Sequence, residues 1–297
     1  MTVTHVVNST TDVTGWRTPL STTTSWIRIF PIRTPTLPPA THTNVYVLEG
    51  RDGFTVIDPA SPYDEERAAL DAALDALDKP VSEIVLTHHH LDHVSGAAHL
   101  ANRLGVGIAA HAESAARLAG RLTVTRTLSE GDTLDVGPDG FEALHTPGHA
   151  PGHLCFLDRR SGALVAGDMV ASIGTIIVEP DDGGDMGVYL DSLRRLRRLF
   201  EPGGDKPLYP AHGPPIADAA GKLDFYVHHR LDREARVAAA LSAELRTDEE
   251  LVPPAYPDVP PMVWPLAARS LLAHLYKLER EGRARRDGER WRAVSLP

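Results

Sequence analysis

The sequence predicts an α/β protein, an αββα sandwich followed by a small winged-helix-like unit, and three observations support this fold class. Short runs of β-branched and aromatic residues alternate with amphipathic helices, and this order occurs twice along the chain. Several predicted strands end in His or Asp. A helix and a charged hairpin follow a proline-rich segment near the C-terminus. The 297 residues suffice for one large domain with an appendage.

The first repeat opens with a small sheet. Trp26–Pro31, Asn44–Glu49 and Phe54–Asp58 are rich in strand-forming residues, and Arg51-Asp52-Gly53 is a hairpin turn signal. Residues 1–24 show no clear periodicity and predict an N-terminal arm or an edge strand. The other elements predicted for this half are a helix at 64–78, a strand at 83–86, a helix at 94–104, a strand at 106–110 and a helix at 111–119.

The second repeat is dominated by strands and ends with two long helices. Met186–Phe200 and Lys222–Leu245 predict these helices. Most of the isoleucine-rich run 173–178 is predicted to be a further core strand. The other predicted strands lie at 123–128, 133–136, 141–145, 154–157, 163–166 and 208–210.

The C-terminal region is predicted to form a separate unit. Val252–Pro265 is so rich in proline that it indicates a linker. Leu266–Glu281 predicts an amphipathic helix, and Arg283–Val294 alternates charged and apolar residues as a β-hairpin does. The predicted organisation is therefore an arm at 1–24, the sandwich at 25–250, and the linker with the winged unit at 251–297.

The charge distribution limits the classes of partner. The formal net charge of −10 gives no long-range attraction to nucleic acid or to an anionic membrane. The tail from Arg269 onward is an exception, because it carries eight Lys or Arg against four Asp or Glu. No basic start precedes an apolar stretch at the N-terminus, and no run of about 18 apolar residues occurs. A cytoplasmic protein without a membrane partner is expected.

Seven potential metal ligands follow predicted strands. Because neighbouring strands of such sheets bring their carboxyl ends to one rim, we expect these side chains to meet there. Imidazole nitrogen and carboxylate oxygen together suit zinc, and also iron or manganese, better than calcium or magnesium. Seven ligands exceed the needs of one tetrahedral ion, so two ions are expected. The seven residues are His88, His90, Asp92, His93, His149, Asp168 and His212.

The backbone geometry of the segment THHHLDH at 87–93 predicts which of its residues face which ion. In an extended backbone His88 and His90 lie on one side and His89 on the other, so His89 is not expected to be a ligand. Where the chain turns into the next helix, Asp92 and His93 are expected to face a second ion about 3.5 Å from the first.

Residues around the ligands are expected to support them. Small residues must lie close to such a site, and 95–97 (Ser-Gly-Ala) and Pro147-Gly148 supply them. His145 and His153 flank His149, and for both we weigh a role behind the ligands equally against a purely structural one. Tyr189 is a further candidate for shaping the substrate pocket.

Four segments, THHHLDH, TPGHAPGH, AGD and PAHG, occur in this order and together resemble the metallo-β-lactamase fold. The resemblance implies that His88, His90 and His149 hold one metal ion, that Asp92, His93 and His212 hold the other, and that Asp168 bridges them. The segment 226–234 and the C-terminal SLLAHLYKLEREGRA resemble the lactamase-like-protein-2 subfamily. That subfamily has a C-terminal winged-helix-like unit, so 25–250 is the implied catalytic domain.

The sequence also departs from related patterns. Asp168 stands where the zinc β-lactamases proper have Cys or no bridging residue, so β-lactam hydrolysis is expected at most as a weak or promiscuous activity. THHHLDH also resembles glyoxalase II, but that enzyme has a helical C-terminal part, whereas a helix and hairpin are predicted here. The segment PATHTNVYVLEG lacks a Gly of the family pattern, which predicts an altered substrate-facing loop.

The expected chemistry is hydrolysis by two divalent ions, most readily zinc, with manganese or iron as alternatives. Two dications sharing a water lower its pKa from 15.7 toward about 7, so a bridging hydroxide serves as nucleophile. Asp92 is the residue best placed to hold or relay the proton. A small-molecule ester, thioester or lactone is the expected substrate.

The alternative substrate is single-stranded RNA, which an endoribonuclease of the same fold would cleave. The basic tail favours it, because Arg283, Arg285, Arg286 and Arg290 could approach phosphates and Trp291 could stack on a base. A solvated hairpin edge explains the same arginines.

Overall fold

Two β-sheets pack face to face with helices on their outer sides, which confirms the predicted αββα sandwich. The computed structural model describes residues 21–24, 26–134 and 140–294. The predicted arm therefore lies outside the described residues up to residue 20, and so do the last two positions of the strand predicted at 133–136.

The first sheet has seven strands in chain order, β1 to β7. Strands β1 to β4 are antiparallel to their neighbours, and β4 to β7 are parallel. The strands are β1 (Ser21–Thr24), β2 (Ile27–Arg33), β3 (His42–Glu49), β4 (Phe54–Ile57), β5 (Val81–Val85), β6 (Gly107–His111) and β7 (Arg126–Leu128). The helices of this half are α1 (Asp64–Asp75), α2 (Leu91–Val94), α3 (Ala97–Leu104) and α4 (Ala112–Leu118).

The second sheet has five strands in the order β12-β11-β10-β9-β8, and α5 and α6 cover its outer face. The elements of this half are β8 (Thr133–Leu134), β9 (Phe141–His145), β10 (Leu154–Asp158), β11 (Leu164–Gly167), α5 (Met186–Arg197), β12 (Leu208–Pro210) and α6 (Ala219–Ala240). Helix α5 begins where Asp185 accepts hydrogen bonds from the Gly187 and Val188 N–H groups.

Apolar side chains fill three layers of the sandwich. Ile57 and Val85 of the first sheet meet Phe141 and Phe156 of the second in the central layer. The outer layers lie under α1 and α3 on one side and under α5 and α6 on the other. Burial of these surfaces is the main stabilising contribution, and it leaves the rim at the strand ends free for polar residues.

The isoleucine-rich run after β11 is not a strand, so that prediction is wrong. Residues 171–179 form an irregular loop in which Ile176 and Val178 are buried and Ile173 is 44% exposed. The two buried side chains pack in the outer core while their backbone stays outside the sheet. Apolar composition alone therefore predicted burial at two positions but not backbone pairing.

The C-terminal unit is a helical pair closed by a three-stranded sheet. The sheet has the order β13-β15-β14, so the strand before α7 pairs with the last strand of the chain. Trp291 is the largest side chain among the fully buried ones and lies at the centre of this unit. The elements are β13 (Arg246–Thr247), α7 (Asp248–Ala255), α8 (Trp264–Arg280), β14 (Ala284–Asp287) and β15 (Arg290–Ala293).

The proline-rich segment predicted as a linker is partly helical, which corrects that prediction. Pro253 and Pro254 lie inside α7. A proline removes the hydrogen bond to the carbonyl four residues earlier, here those of Glu249 and Glu250, and both residues are exposed to water. A capping box between Thr247 and Glu250 stabilises the start of the helix. The domain boundary at residue 250 stays a prediction.

Within the ranges that the structure describes, no helix is both long and apolar enough to cross a bilayer.

Candidate metal centre

The seven predicted ligands come together at one rim of the sandwich. They lie in segments that follow β5, β9, β11 and β12. Gly96 and Gly148 leave the space that this convergence requires. A Cβ at Gly96 would lie 2.2 Å from the Pro59 carbonyl oxygen, and one at Gly148 would lie 2.2 Å from the backbone nitrogen of Tyr189. Gly148 also has a positive φ of 124°, which other residues rarely adopt.

His88, His90 and His149 form a compact group, called here the first cluster. His88 Nε2 lies 2.9 Å from His90 Nδ1, and His149 Nε2 lies 3.2 Å and 3.0 Å from these two atoms. Bonds of about 2.0 Å to a tetrahedral zinc ion put ligand nitrogens about 3.3 Å apart. The three nitrogens therefore have the separation that a shared cation would impose.

Asp92, His93 and His212 form the second cluster, which is looser. His212 Nε2 lies 3.6 Å from Asp92 Oδ2, and these atoms and a nitrogen of His93 lie within 4.8 Å of one another. His93 is fully buried, whereas the Asp92 side chain is 19% exposed. The second cluster thus combines a buried face with a carboxylate that solvent reaches.

The Asp168 carboxylate lies between the two clusters, and each of its oxygens faces a different cluster. Oδ1 lies 3.3 Å from His212 Nε2 and 3.6 Å from His93 Nε2, in the second cluster. Oδ2 lies 3.6 Å from His149 Nε2, in the first. One carboxylate that faces both groups is the arrangement expected of a bridging ligand.

Of the two histidines that flank His149, His153 contacts a predicted ligand. Its Nε2 accepts a hydrogen bond from the backbone N–H of Asp168 at 3.0 Å. His153 Nδ1 lies 2.8 Å from Thr146 Oγ1. His145 lies apart from the site, since its ring stacks on His111 and its Nε2 bonds the Pro151 carbonyl.

Two buried polar atoms that lack hydrogen-bond partners in the described part of the chain indicate that the site suits a metal ion. His93 Nε2 and Asp168 Oδ1 have no hydrogen-bond partner among the described residues. A buried polar atom without a partner is costly, and such atoms in native proteins usually mark an ion site or another functional role. Both face the centre of the second cluster, so a cation there would satisfy them, and the residues fit a metal pair.

Every histidine of the two clusters is also held at its other ring nitrogen. Such outer partners fix the tautomer and the ring orientation of a metal ligand. The contacts are His88 Nδ1 to Thr87 Oγ1 at 3.0 Å, His90 Nε2 to Asp182 Oδ2 at 2.8 Å, His93 Nδ1 to Asp58 Oδ2 at 2.8 Å, His149 Nδ1 to the Ile177 carbonyl at 2.7 Å and His212 Nδ1 to the His42 carbonyl at 3.0 Å.

Sequence reasoning missed the acidic partners Asp58 and Asp182. Asp58 is buried, has a φ of 52°, and accepts hydrogen bonds from the Thr87 N–H at 2.8 Å and from the Thr87 hydroxyl at 2.6 Å. An acid that directly follows an apolar strand was the available signal for it. Asp182 lies 92 residues after His90, at the end of the 3-10 turn Pro180–Asp182, where it is partly exposed, and nothing in its surroundings along the chain marks it.

The two clusters differ in charge. Burial, with the neighbouring histidines, holds the pKa of His88 well below its usual range and lowers that of His149 to about 3. Burial also lowers the pKa of His93, but the carboxylates of Asp168, Asp58 and Asp92 outweigh it and raise that pKa well above its usual range. Before any metal binds, these two imidazoles of the first cluster are neutral and the second cluster holds ion pairs.

His89 and Tyr189 lie outside both clusters. His89 Nε2 lies 3.0 Å from Asp182 Oδ2, and Arg117 donates to the other oxygen of that carboxylate at 3.2 Å. Tyr189 is buried, and its hydroxyl donates to the Met169 carbonyl at 2.8 Å. Tyr189 therefore packs in the core instead of shaping a substrate pocket.

An αββα sandwich with paired His and Asp clusters at its rim defines a class of metal-dependent hydrolases. Residues 38–212 match the model of the metallo-beta-lactamase superfamily, and residues 247–291 match the beta-lactamase associated winged helix domain. The chain belongs to the metallo-beta-lactamase superfamily and is a hydrolase of that superfamily with a C-terminal winged-helix domain.

Two curated relatives are similar to this chain, one named a lactamase-like protein and the other a thioesterase. The lactamase-like protein adaB of Aspergillus niger is 30% identical over 275 residues, which cover 86% of this chain and 82% of the relative. The atrochrysone carboxyl ACP thioesterase AacuM of Aspergillus aculeatus is 30% identical over 202 residues, covering 67% of this chain and 59% of the relative.

Solved structures share the fold. A beta-lactamase domain protein from Burkholderia ambifaria aligns with a TM-score of 0.81 at 22% identity, over 93% of both chains. A metallo-beta-lactamase family protein from Thermus thermophilus aligns with a TM-score of 0.71 at 26% identity, over 90% of this chain and 98% of that one. The protein TTHA1623, crystallised in a di-iron-bound form, aligns with a TM-score of 0.51 at 32% identity, over 64% of this chain and 96% of its own.

Proposed function

We propose that this hydrolase cleaves small-molecule acyl thioesters, with esters and lactones as related substrates. The observation that carries the proposal is Asp168, whose two oxygens face the two ligand clusters at 3.3 to 3.6 Å. A relative that covers two thirds of the chain is named a thioesterase, which favours the thioester within this group of substrates.

In this proposal the first cluster would hold one divalent ion and the second cluster another, and Asp168 would contribute a ligand to each. Zinc suits the imidazole-rich first cluster, and the di-iron form of TTHA1623 makes iron a matched alternative beside manganese. When bound, the two ions would polarise the acyl oxygen and lower the pKa of a water to about 7.

The chain's own residues supply the remaining steps. Asp92 has a carboxylate that is partly exposed and lies 3.6 Å from His212 Nε2, so it can accept the proton of the attacking water and return it to the departing thiolate. His153 fixes the backbone of Asp168 through the bond from its N–H, which keeps the carboxylate between the clusters.

Apolar residues beside the clusters favour an acyl substrate. Leu91 lies between His90 and Asp92 in the chain and is 59% exposed. Ile173 is 44% exposed, and its N–H donates to the His212 carbonyl at 3.4 Å. Exposed apolar side chains next to a polar site suit an acyl chain better than a phosphodiester.

The structure weakens the case for RNA as the substrate. Trp291 is 1% exposed, so the expectation that it stacks on a base is wrong. It is covered by Tyr276, whose ring lies 5.5 Å away, and by Arg286, its cross-strand neighbour. Arg283 is paired with Glu234 at 3.1 Å. These contacts give the wing an internal structural role.

The test is a panel of one acyl group presented as thioester, oxygen ester and lactone, together with single-stranded RNA. Protein loaded with zinc, manganese or iron is assayed beside Asp168→Ala and the control Asp191→Ala, which removes an exposed carboxylate on α5. We expect thioester turnover that falls to the buffer rate in Asp168→Ala and is unchanged in Asp191→Ala. Full activity of Asp168→Ala in metal-free buffer, or RNA cleavage without thioester turnover, would overturn the proposal.

A further inference from the structure

Residues 176–185, called here the bracing segment, hold two ligands of the first cluster from outside. The Ile177 carbonyl accepts a hydrogen bond from His149 Nδ1 at 2.7 Å. Asp182 Oδ2 lies 2.8 Å from His90 Nε2. The N–H of Asp185 also donates to the Gly148 carbonyl at 2.8 Å, directly beside His149.

The sheets do not fix the bracing segment. All of its residues are described, and they contain only the 3-10 turn Pro180–Asp182 and no strand. Its own hydrogen bonds are local, from the Gly184 N–H to the Glu179 carbonyl at 2.7 Å and from the Gly183 N–H to the Pro180 carbonyl at 3.0 Å. A segment of this kind needs contacts with other elements to hold one position.

Three arginines of α6 and α8 supply some of those contacts, beside the buried side chains of Ile176 and Val178 and the bond from Arg117 to Asp182. Arg230 of α6 is buried and donates to the Ile176 carbonyl. On α8, Arg269 Nε lies 3.1 Å from Glu179 Oε2. Arg280 of α8 holds both oxygens of Asp185, at 2.6 and 2.7 Å, in the paired geometry that makes Arg–carboxylate contacts directional. The three contacts lie near both ends of the segment.

The second cluster has no such dependence on the C-terminal helices. The partner of His93 is Asp58, which directly follows β4, and the partner of His212 is the carbonyl of His42 in β3. Both partners belong to the first sheet. Two ligands of the first cluster, His90 and His149, are therefore supported by a segment that the second cluster does not use.

We propose that Asp182 is a positioning residue for His90. Its segment is held by α6 of the sandwich, by α8 of the winged-helix unit and by Arg117, so the winged-helix unit contributes support to one half of the metal centre. The Asp182 carboxylate accepts the Nε2 hydrogen of His90, which leaves the Nδ1 lone pair directed toward His88 and His149. The proposal rests on the metal-binding part of the proposed function and is independent of the substrate.

The first experiment measures Co²⁺ binding by visible absorption in Asp182→Ala, Asp182→Asn and the control Asp191→Ala. We expect Asp182→Ala to weaken one of two binding steps by about 10- to 100-fold and to leave the other unchanged. Asp182→Asn keeps an acceptor oxygen and should recover part of the loss. In the metal-free protein, ¹⁵N NMR should show His90 protonated at Nε2 in the wild type and a mixed tautomer in Asp182→Ala.

The second experiment tests the coupling to the C-terminal helices. The double variant Arg269→Gln/Arg280→Gln should weaken the same Co²⁺ step by a smaller factor, about 3- to 10-fold. Arg194→Gln is the matched control, because Arg194 pairs only with Asp191 of its own helix among the described residues. Thermal unfolding of each metal-free variant shows whether it is folded, and Asp182→Asn carries the test if Asp182→Ala is not.

The results distinguish a failure of this proposal from a failure of the proposed substrate. Equal loss of both Co²⁺ steps, or no loss in Asp182→Ala, overturns the positioning role. An unchanged Co²⁺ titration in the double arginine variant overturns the coupling. Wild-type protein that binds two Co²⁺ ions but cleaves no thioester overturns the substrate proposal alone.

Discussion

The two ligand clusters face each other across Asp168, yet they are built differently. The first cluster consists of three imidazoles, two of which are held by the irregular bracing segment. The second combines imidazole with carboxylate, and strands of the first sheet position its partners. In the proposed binuclear centre, the second half would depend on the sandwich alone, whereas the first half would also depend on the appended unit.

The charges of the clusters follow the same division. His88 and His149 are neutral at neutral pH, because burial and their histidine neighbours lower each pKa. Nearby carboxylates raise the pKa of His93 well above its usual range in the metal-free protein despite burial, which favours its protonated form. The two halves should therefore respond differently when one ligand is removed.

The largest expected difference is between His93→Ala and His149→Ala in metal-free protein. His93→Ala leaves the buried carboxylate of Asp58 without its cation and leaves Asp168 paired with His212, so we expect a loss of about 3–5 kcal/mol in the free energy of unfolding. His149→Ala removes a neutral ring and should cost less. Urea unfolding in the presence of a chelator measures both, and equal losses would contradict the charge assignment.

Asp58→Asn tests whether the second half depends on its acidic partner. The substitution keeps the size of the side chain but replaces the charged acceptor of His93 Nδ1. We expect the metal-binding step that Asp182→Ala leaves intact to weaken by about 10- to 100-fold. The other step should weaken less, because Asp58 reaches His88 only through Thr87. Calorimetric titration with Zn²⁺ checks this. If the same step is the more weakened one in both variants, the halves are not independently supported.

Glu234→Gln probes the contact between α6 and the C-terminal unit, and its expected effect on the free energy of unfolding is smaller. Glu234 Oε1 of α6 accepts from Lys277 of α8 at 3.0 Å and from Arg283 at 3.1 Å, and Lys277 Nζ lies 2.8 Å from Glu234 Oε2. Burial would raise the pKa of Glu234, but His274 and Lys277 lower it to about 2. We expect Glu234→Gln to lower the free energy of unfolding at pH 7 by about 1.5–3 kcal/mol.

The pH dependence of this loss in the free energy of unfolding serves as the control for the ion pairing of Glu234. A carboxylate with a lowered pKa stabilises the fold above its ordinary pKa of 4.5, and the contribution disappears as the pH falls toward about 2. The difference between wild type and Glu234→Gln should therefore shrink below pH 4.5. Urea unfolding at several pH values measures it, and a difference independent of pH would contradict the ion pairing.

The sequence predicted the sandwich because its strands and helices have clear periodicities, and it predicted which seven side chains meet because each follows a strand. It could not predict Asp182, since the contact with His90 depends on where a loop lies in space. The linker prediction for the proline-rich segment was wrong for a local reason, because the carbonyl that Pro253 leaves without its helical hydrogen bond belongs to the exposed residue Glu249. Burial of Trp291 followed from tertiary packing against Tyr276.

The shared carboxylate of Asp168 has a consequence for how ions would load. Its two oxygens belong to one rigid plane, so an ion that orders Oδ2 also orders Oδ1. The entropy of immobilising the side chain is then lost once and not twice. We expect the first ion to reduce the entropic cost of binding the second, while the different ligands of the two clusters keep the two binding steps distinguishable in a titration.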